Sequence, residues 1–517
     1  MFGEVRLLKD DEIPNIIYKE GFYALETDHI RPFRWMKNNA KIFVNKYDHV
    51  KQWIKFEVGY TNKVPVTLTI DGKKKFEFKI LNGWQKIGMP IENLIENEGW
   101  VSFQCDYVED NKNDERNLSL MIGEIKIEEK DEHTYNSSLL AQEVFKFSRV
   151  KSKPTFLTYE TVARCNLKCA MCAVDESLNK FTNDRKDNTE KTEPIYKELI
   201  PYSNKLQLHA SGEVLMGNDF WRALNIAGPY SQKHSLEIEI FTNGLLLNAQ
   251  NRKKILESAL TDLVISVDAA TKKTYRRIRG GNFTKLCENI NNLVQENKKY
   301  NNKLRIAMAC VLMRENIEEL PDFIKLANAL GVKTVSFWPL FSTGIDMPIK
   351  QRGDFVFYYK QQMLLYYPHL TTKKIDEGYE TAEKLNIRVG LTPCFPKDYS
   401  GFKHDDIPYP IESREFDKYA TRYQETNNYD KKSLSGEYVE SYKECYLPWN
   451  TAFITTEGRF SPCLLLTYLG GIDSLAGKNF DDAWNSPLMQ DLRQHIIEGK
   501  IHKLCDKAQC IFVNKKF

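Results

Sequence analysis

The chain has 517 residues, with 73 Lys and Arg against 70 Asp and Glu and a formal net charge of +3. That length carries several domains and a large core, and so balanced a charge marks the chain as neither a nucleic-acid nor a membrane binder. The opening MFGEVRLLKDDEIPN is acidic and lacks the apolar core of a signal peptide, and no apolar run approaches the roughly 20 residues that span a bilayer.

A soluble cytoplasmic protein is therefore expected. Its 11 cysteines, an odd number without an export signal, point to bound metal or reduced thiols and not to a disulfide framework.

Residues 1–148 read as β. NAKIFVN, WIKFEVGY, VTLTIDGKKKFEFKI, GWVSFQCDY and LSLMIGEIKIEE are short β-branched and aromatic runs, broken by turns such as Asp71-Gly72 and Asn82-Gly83. This rhythm predicts a β-sandwich-like accessory domain. Trp35, Trp53, Trp84 and Trp100 would suit a sugar-stacking platform, but large aromatics are mostly buried, so they are expected in its core.

Residues 149–345 alternate strands with helices. The strands are expected at FLTYE (156–160), KLQLHA (205–210), LEIEIFT (236–242), DLVISVD (262–268), LRIAMACVL (304–312) and KTVSFWP (333–339). Helical periodicity lies between them, as over 248–258 and 317–330. Repeated strand–helix units imply a parallel sheet with right-handed crossovers, and this number of units fits a partial (β/α)6 barrel. Residues 346–440 read as a helical and polar bridging segment that includes the tyrosine-rich GFKHDDIPYPIESREFDKYATRYQETNNYDKK. Residues 441–517 form a small tail with Cys445, Cys463, Cys505 and Cys510.

The stretch TVARCNLKCAMCA places Cys165, Cys169 and Cys172 close together after the first strand of the alternating region. Three thiols are one short of a structural zinc site. They suit a metal centre that keeps one position open. Ligands of parallel α/β folds sit at the carboxyl ends of the strands. The next motifs fall there too: Ser211-Gly212-Glu213 after the second strand, Thr242-Asn243-Gly244 at the end of the third, and Ser266-Val267-Asp268 at the end of the fourth.

Cys165-x3-Cys169-x2-Cys172 with these ordered companions resembles the signature of the radical S-adenosylmethionine (SAM) enzymes. The resemblance implies a [4Fe-4S] cluster held by three thiolates, with SAM chelating the fourth iron and yielding a 5′-deoxyadenosyl radical that takes hydrogen from unactivated carbon. It also implies individual roles. Ser211-Gly212-Glu213 is similar to the family's Gly-Gly-Glu motif, with Gly212 allowing close backbone approach and Glu213 near the SAM ammonium. Ser266 and Arg279 would hold the SAM carboxylate. Thr242, Asn243 and Asp268 lie where ribose contacts are usual, and Val311 and Leu312 would offer backbone to adenine.

The tail, with Gly458-x4-Cys463 and Cys505-x4-Cys510, resembles the SPASM/twitch extension of these enzymes. Its four thiols imply one fully ligated auxiliary [4Fe-4S] cluster suited to electron transfer; a four-thiolate zinc site is the alternative. Cys310, whose strand ends at the rim, is a candidate hydrogen donor by analogy with radical epimerases, or else a buried small hydrophobe.

The first functional reading is oxidation, dehydration or epimerisation of a carbohydrate-like small molecule, favoured by the β-rich N-terminal region. The second is modification of a peptide or protein. A non-catalytic, zinc-containing glycan binder is a distant third. The resemblance implies a flavodoxin or ferredoxin as electron donor.

Overall fold

The computed structural model describes residues 16–27, 32–44, 52–61, 65–96, 98–107, 119–172, 189–340, 349–391, 405–426, 445–475, 477–508 and 510. The opening segment MFGEVRLLKDDEIPN, Cys394 and both ends of the tyrosine-rich stretch lie outside the described residues. The chain divides into two units, Met1–Thr155 and Phe156–Phe517.

The first unit is an antiparallel sheet of β1 (Ile16–Thr27), β2 (Pro32–Val44), β3 (Gln52–Tyr60), β4 (Val66–Asp71), β5 (Lys75–Ile80), β6 (Gly83–Pro90), β7 (Gly99–Cys105), β8 (Leu120–Ile122) and β9 (Lys126–Glu129). Their order is β5-β4-β7-β2-β8-β3-β6, with β1 also on β2 and β9 on β3. One face of nearly every strand feeds a single core, with Ile42 and Val44 from β2, Ile54, Phe56 and Val58 from β3, Leu68 and Ile70 from β4, and Val101 and Phe103 from β7. The sheet therefore curls around that core.

The tryptophans are not in it. Trp35, Trp53 and Trp84 are half-buried, and Trp100 is 53% exposed, edge-on to Phe43. The reason is strand parity: Ile54, Phe56 and Val58 point inward, so Trp53 points out, and Val101 and Phe103 do the same to Trp100. A helix the sequence did not announce, Glu132–Glu143, closes the unit. Asp131 caps it by accepting the Thr134 amide at 2.8 Å, and Lys55 Nζ lies 2.7 Å from the other Asp131 oxygen.

The second unit contains all six expected strands: β10 (Phe156–Tyr159), β11 (Lys205–Gln207), β12 (Glu237–Thr242), β13 (Asp262–Ser266), β14 (Arg305–Leu312) and β15 (Thr334–Pro339). They are parallel and adjacent in chain order. Beyond them come a hairpin of β16 (Lys350–Arg352) and β17 (Phe355–Phe357), then β18 (Arg388–Leu391), β19 (Thr451–Ile454), β20 (Arg459–Ser461) and β21 (Asp473–Ser474). The six-stranded expectation needs extension, because β18 adds in parallel to β15 and β19 adds in parallel to β10. The antiparallel β20 and β21 follow β19.

The bridging segment is thus partly a further strand–helix unit. Its helix Pro368–Leu385 packs on the helix Leu320–Ala329, where Gly378 leaves room for the Leu320 side chain. The convex face of the curled sheet carries the helices: Tyr159 stacks on Tyr196 at 4.4 Å, and Phe337 meets Phe323 at 5.5 Å. The opposite parity faces the lumen. There Thr158, Gln207 and Glu239 are in register across β10, β11 and β12 and joined by hydrogen bonds, with Lys205 3.0 Å from Glu239. Among the described residues no helix is long and apolar enough to cross a membrane.

Candidate metal and cofactor sites

The cysteine loop leaves the carboxyl end of β10 and is pinned from three sides. The Glu213 amide donates to the Arg164 carbonyl at 2.9 Å. Gly212 sits against the Val162 and Arg164 carbonyls; a Cβ there would come within 2.6 Å of the latter and closer still to the former. The close approach expected of Gly212 is therefore made to the cysteine loop. The Ala170 amide donates to the Ile278 carbonyl at 2.7 Å, and Ala170 and Met171 pack with Val311, Phe355 and Phe357. Cys165 is exposed, and Cys169 and Cys172 are half-buried. Burial first raises the thiol pKa values of Cys165 and Cys169, the latter to about 11 despite the opposing charge of Arg279. Metal binding would deprotonate them outright.

The rim residues form a hydrogen-bonded collar. Glu213 is 2% exposed; one oxygen accepts the Thr242 hydroxyl at 2.7 Å and the other the Asn243 amide at 2.7 Å. Its pKa is raised, by burial first, so this carboxylate favours a cationic partner. Asn243 Nδ2 donates to Asn166 Oδ1 at 2.7 Å and lies 3.9 Å from Cys165 Sγ. Thr242 and Asn243, expected at the ribose, thus hold Glu213 and the cysteine loop.

Asp268, also expected at the ribose, accepts Arg279 Nε at 2.6 Å and the Val311 amide at 2.7 Å. Arg279 is 8% exposed, and its Nη groups make no hydrogen bond among the described residues. The Ser266 hydroxyl at the end of β13 is likewise without a hydrogen bond among the described residues. Val311 spends its amide on Asp268 and shares its carbonyl with Asn316 Nδ2 at 2.9 Å, and the Leu312 carbonyl accepts the Leu340 amide. What either can still offer adenine is a second carbonyl lone pair.

Cys310 is corrected. It pairs with Phe337, which faces the helices, and its thiol lies 3.5 Å from Asn316 Nδ2. It is buried on the convex side and cannot reach a substrate in the lumen.

The tail builds a second centre. Cys445 precedes β19, Cys463 follows β20, Cys505 lies in the helix Lys503–Lys507, and the Cys510 amide donates to the Cys505 carbonyl at 3.1 Å. Burial first, then the facing thiols of Cys510, Cys463 and Cys505, push the Cys445 thiol up; Cys463 is raised to about 12. All four line one cavity. His502 seats Cys505: its Nδ1 accepts the Leu504 amide at 3.2 Å, and its Nε2 faces Asp491 at 3.1 Å.

A cavity of about 480 Å³ joins the tail thiols to the lumen, past Phe156, Trp338, Leu447 and Phe453 to His209 and Ala210, next to Ser211.

The radical SAM superfamily model matches residues 159–327, and that of an iron-sulfur cluster-binding domain, SPASM, matches residues 445–511. The chain contains a radical SAM domain followed by a SPASM domain. Fe-coproporphyrin III synthase of Methanosarcina barkeri is 23% identical over 211 residues, 40% of this chain and 49% of that protein. Mycofactocin maturase MftC of Mycolicibacterium smegmatis is 26% identical over 196 residues, 36% of this chain and 45% of that protein. The chain spans about half the length of these relatives. Among solved structures, Streptococcus suis SuiB bound to S-adenosylmethionine is 15% identical, covers 70% of this chain and 74% of its own, and has a TM-score of 0.47.

SAM and [4Fe-4S] clusters are the cofactors these domains imply, and the donor sets fit them. Cys165, Cys169 and Cys172 would hold a cluster with one iron left for SAM, and Cys445, Cys463, Cys505 and Cys510 would supply four thiolates to the other. Sequence reasoning missed Glu160 and His209. Both are polar residues at the ends of apolar strand runs, FLTYE and KLQLHA, and that position was the signal available.

Proposed function

We propose that the chain is a radical SAM enzyme that modifies a peptide, with the SPASM domain holding one auxiliary [4Fe-4S] cluster for electron transfer. When bound, SAM and the reduced first cluster supply a 5′-deoxyadenosyl radical that takes a hydrogen atom from the substrate. Cys165, Cys169 and Cys172 would hold that cluster. Glu213 would take the SAM ammonium, and the free Nη groups of Arg279, with the Ser266 hydroxyl, its carboxylate.

The cavity carries the substrate reading. Its end at Cys445, Cys463, Cys505 and Cys510 would hold the auxiliary cluster, and toward His209 the walls are Phe156, Trp338, Leu447 and Phe453, which suit an amino-acid side chain. His209 stands beside Thr158, Gln207 and Thr451 as one of its polar residues. Its ring lies 4.5 Å from that of Phe241, its Nδ1 is buried without a hydrogen-bond partner among the described residues, and burial lowers its pKa to about 4. It is a neutral donor or acceptor for a polar tip. We therefore prefer the peptide reading to the carbohydrate one drawn from the N-terminal unit, and a relative named as a maturase is consistent with it.

The test is anaerobic incubation of reconstituted protein with SAM, reduced flavodoxin and deuterated candidates. Label in 5′-deoxyadenosine from peptides carrying apolar side chains supports the proposal. Label from sugars or sugar nucleotides alone overturns it.

A further inference from the structure

Glu160 follows β10, five residues before Cys165, and is 1% exposed. Its Oε1 accepts the Ser211 amide at 3.3 Å and, more closely, the Ser211 hydroxyl. Its Oε2 accepts the Thr456 amide at 3.1 Å and the Thr456 hydroxyl at 3.4 Å. Ser211 opens the Ser-Gly-Glu motif of the radical SAM domain, and Thr456 lies in the turn between β19 and β20 of the SPASM domain. One buried carboxylate therefore ties the two domains together at the rim.

The connection continues without a gap. Gly212 is wedged on the cysteine loop, the Glu213 amide is bonded to Arg164, the Glu213 carboxylate to Thr242 and Asn243, and Asn243 to Asn166 beside Cys165. Ser211 also gains an explanation. Where the resembling motif has Gly, this chain has a hydroxyl, and that hydroxyl is spent on Glu160.

We infer that Glu160 is a positioning residue through which the SPASM hairpin sets the SAM-binding motif, so that loss of the auxiliary centre weakens SAM binding through this carboxylate. The inference rests on the reading that Glu213 meets SAM. Thr456, Glu160 and Ser211 are joined by hydrogen bonds, and Ser211 reaches Glu213 through the backbone of Gly212, a contiguous path of the kind that carries coupling. Gln at 160 retains one acceptor oxygen and turns an amide NH2 toward the donors on the other side. It would release Ser211 or Thr456 while keeping the volume.

The experiment measures the SAM dissociation constant by anaerobic equilibrium dialysis of reconstituted full-length protein, with iron content determined in parallel. Glu160→Gln is expected to weaken SAM binding about tenfold or more, the worth of a hydrogen bond to a charged group, with wild-type iron content. Ser211→Ala removes only the hydroxyl link and should weaken binding about fivefold; it keeps the inference testable if Glu160→Gln does not fold.

Cys463→Ala should weaken SAM binding in the wild-type background and add nothing in the Glu160→Gln background, a non-additivity that a merely structural residue would not produce. Wild-type affinity in both single variants, or full additivity of Glu160→Gln with Cys463→Ala, overturns the inference. Glu213→Gln separates the layers. Weakened binding there with none in Glu160→Gln removes the strap alone; unchanged binding in Glu213→Gln removes the SAM-site reading beneath it.

Discussion

Asp268→Asn removes the charge that holds Arg279. Asp268 sits at φ 59°, in the left-handed region, and is 1% exposed. Asn tolerates that region as Asp does and fills nearly the same volume, so backbone strain and packing stay constant. Hydrogen bonding does not. The two oxygens of Asp268 each serve one donor, Arg279 Nε and the Val311 amide, and an Asn amide must turn its NH2 toward one of them. Burial disfavours charge on Arg279, but facing Asp268 and then Cys169 more than offsets this and keeps its pKa above the usual arginine value. With the carboxylate neutralised, the guanidinium stays charged and loses its partner.

Breaking one side of a buried pair costs about 3–5 kcal/mol. Urea unfolding of reconstituted protein, followed by far-UV circular dichroism, should show that loss in the second unit. Saturating SAM should narrow it, because a carboxylate against the Nη groups restores a counter-charge. A loss below about 1 kcal/mol would refute the ion-pair argument. A gap that SAM leaves unchanged would remove Arg279 from the SAM carboxylate.

Gly212→Ala should weaken SAM binding more than about tenfold and cost about 1–3 kcal/mol, since its Cβ meets two backbone carbonyls that no rotamer change can move aside; wild-type affinity by anaerobic calorimetry would contradict the described packing. Asp131, pushed up by burial but held down more strongly by Lys55 and Thr134, has its pKa lowered from 3.8 to about 2. A depressed carboxylate stabilises the fold above its ordinary pKa and stops doing so as pH falls through the depressed value. Asp131→Ala should therefore cost the N-terminal unit about 1 kcal/mol at pH 7, and the thermal-melting difference should close between about pH 4 and pH 2. Cys165→Ala and Cys463→Ala should each lower iron from about eight to about four per chain. The first should abolish 5′-deoxyadenosine formation; the second should leave slow cleavage without product, and normal product would exclude the auxiliary cluster from the reaction.

The six central strands were legible because each is an apolar run long enough to stand out between helical stretches. β18 and β19 were not. RVGL and TAFI are four residues long, and each becomes a strand only because an existing sheet edge receives it. The positions of the site residues were legible and their partners were not. Thr242, Asn243 and Asp268 stand at the expected rim, yet they bond to Glu213, the cysteine loop and Arg279. Such second contacts depend on which strand ends lie side by side, and a linear motif does not record that.

One error was avoidable from the sequence by counting in twos. Strands of a parallel barrel buried on both faces read as continuous apolar runs, which hides the side each residue faces. Here the polar residues within the strands break the ambiguity. Arg305 takes Asp262 at 2.6 Å, and Gln207 takes Glu239, all in register along the lumen side. From Arg305 the same parity gives Ala307, Ala309 and Val311, and the other gives Met308, Cys310 and Leu312, each no more than 2% exposed beneath the helices. Parity thus assigns Cys310 to the outer core and His209, two residues beyond Gln207, to the lumen. The same rule turns Trp53 and Trp100 outward in the N-terminal unit, where Ile54 and Val101 hold the inner positions. Residue type suggested a hydrogen donor and a tryptophan core; the period of two, applied from a charged neighbour or an aliphatic one, decides against both.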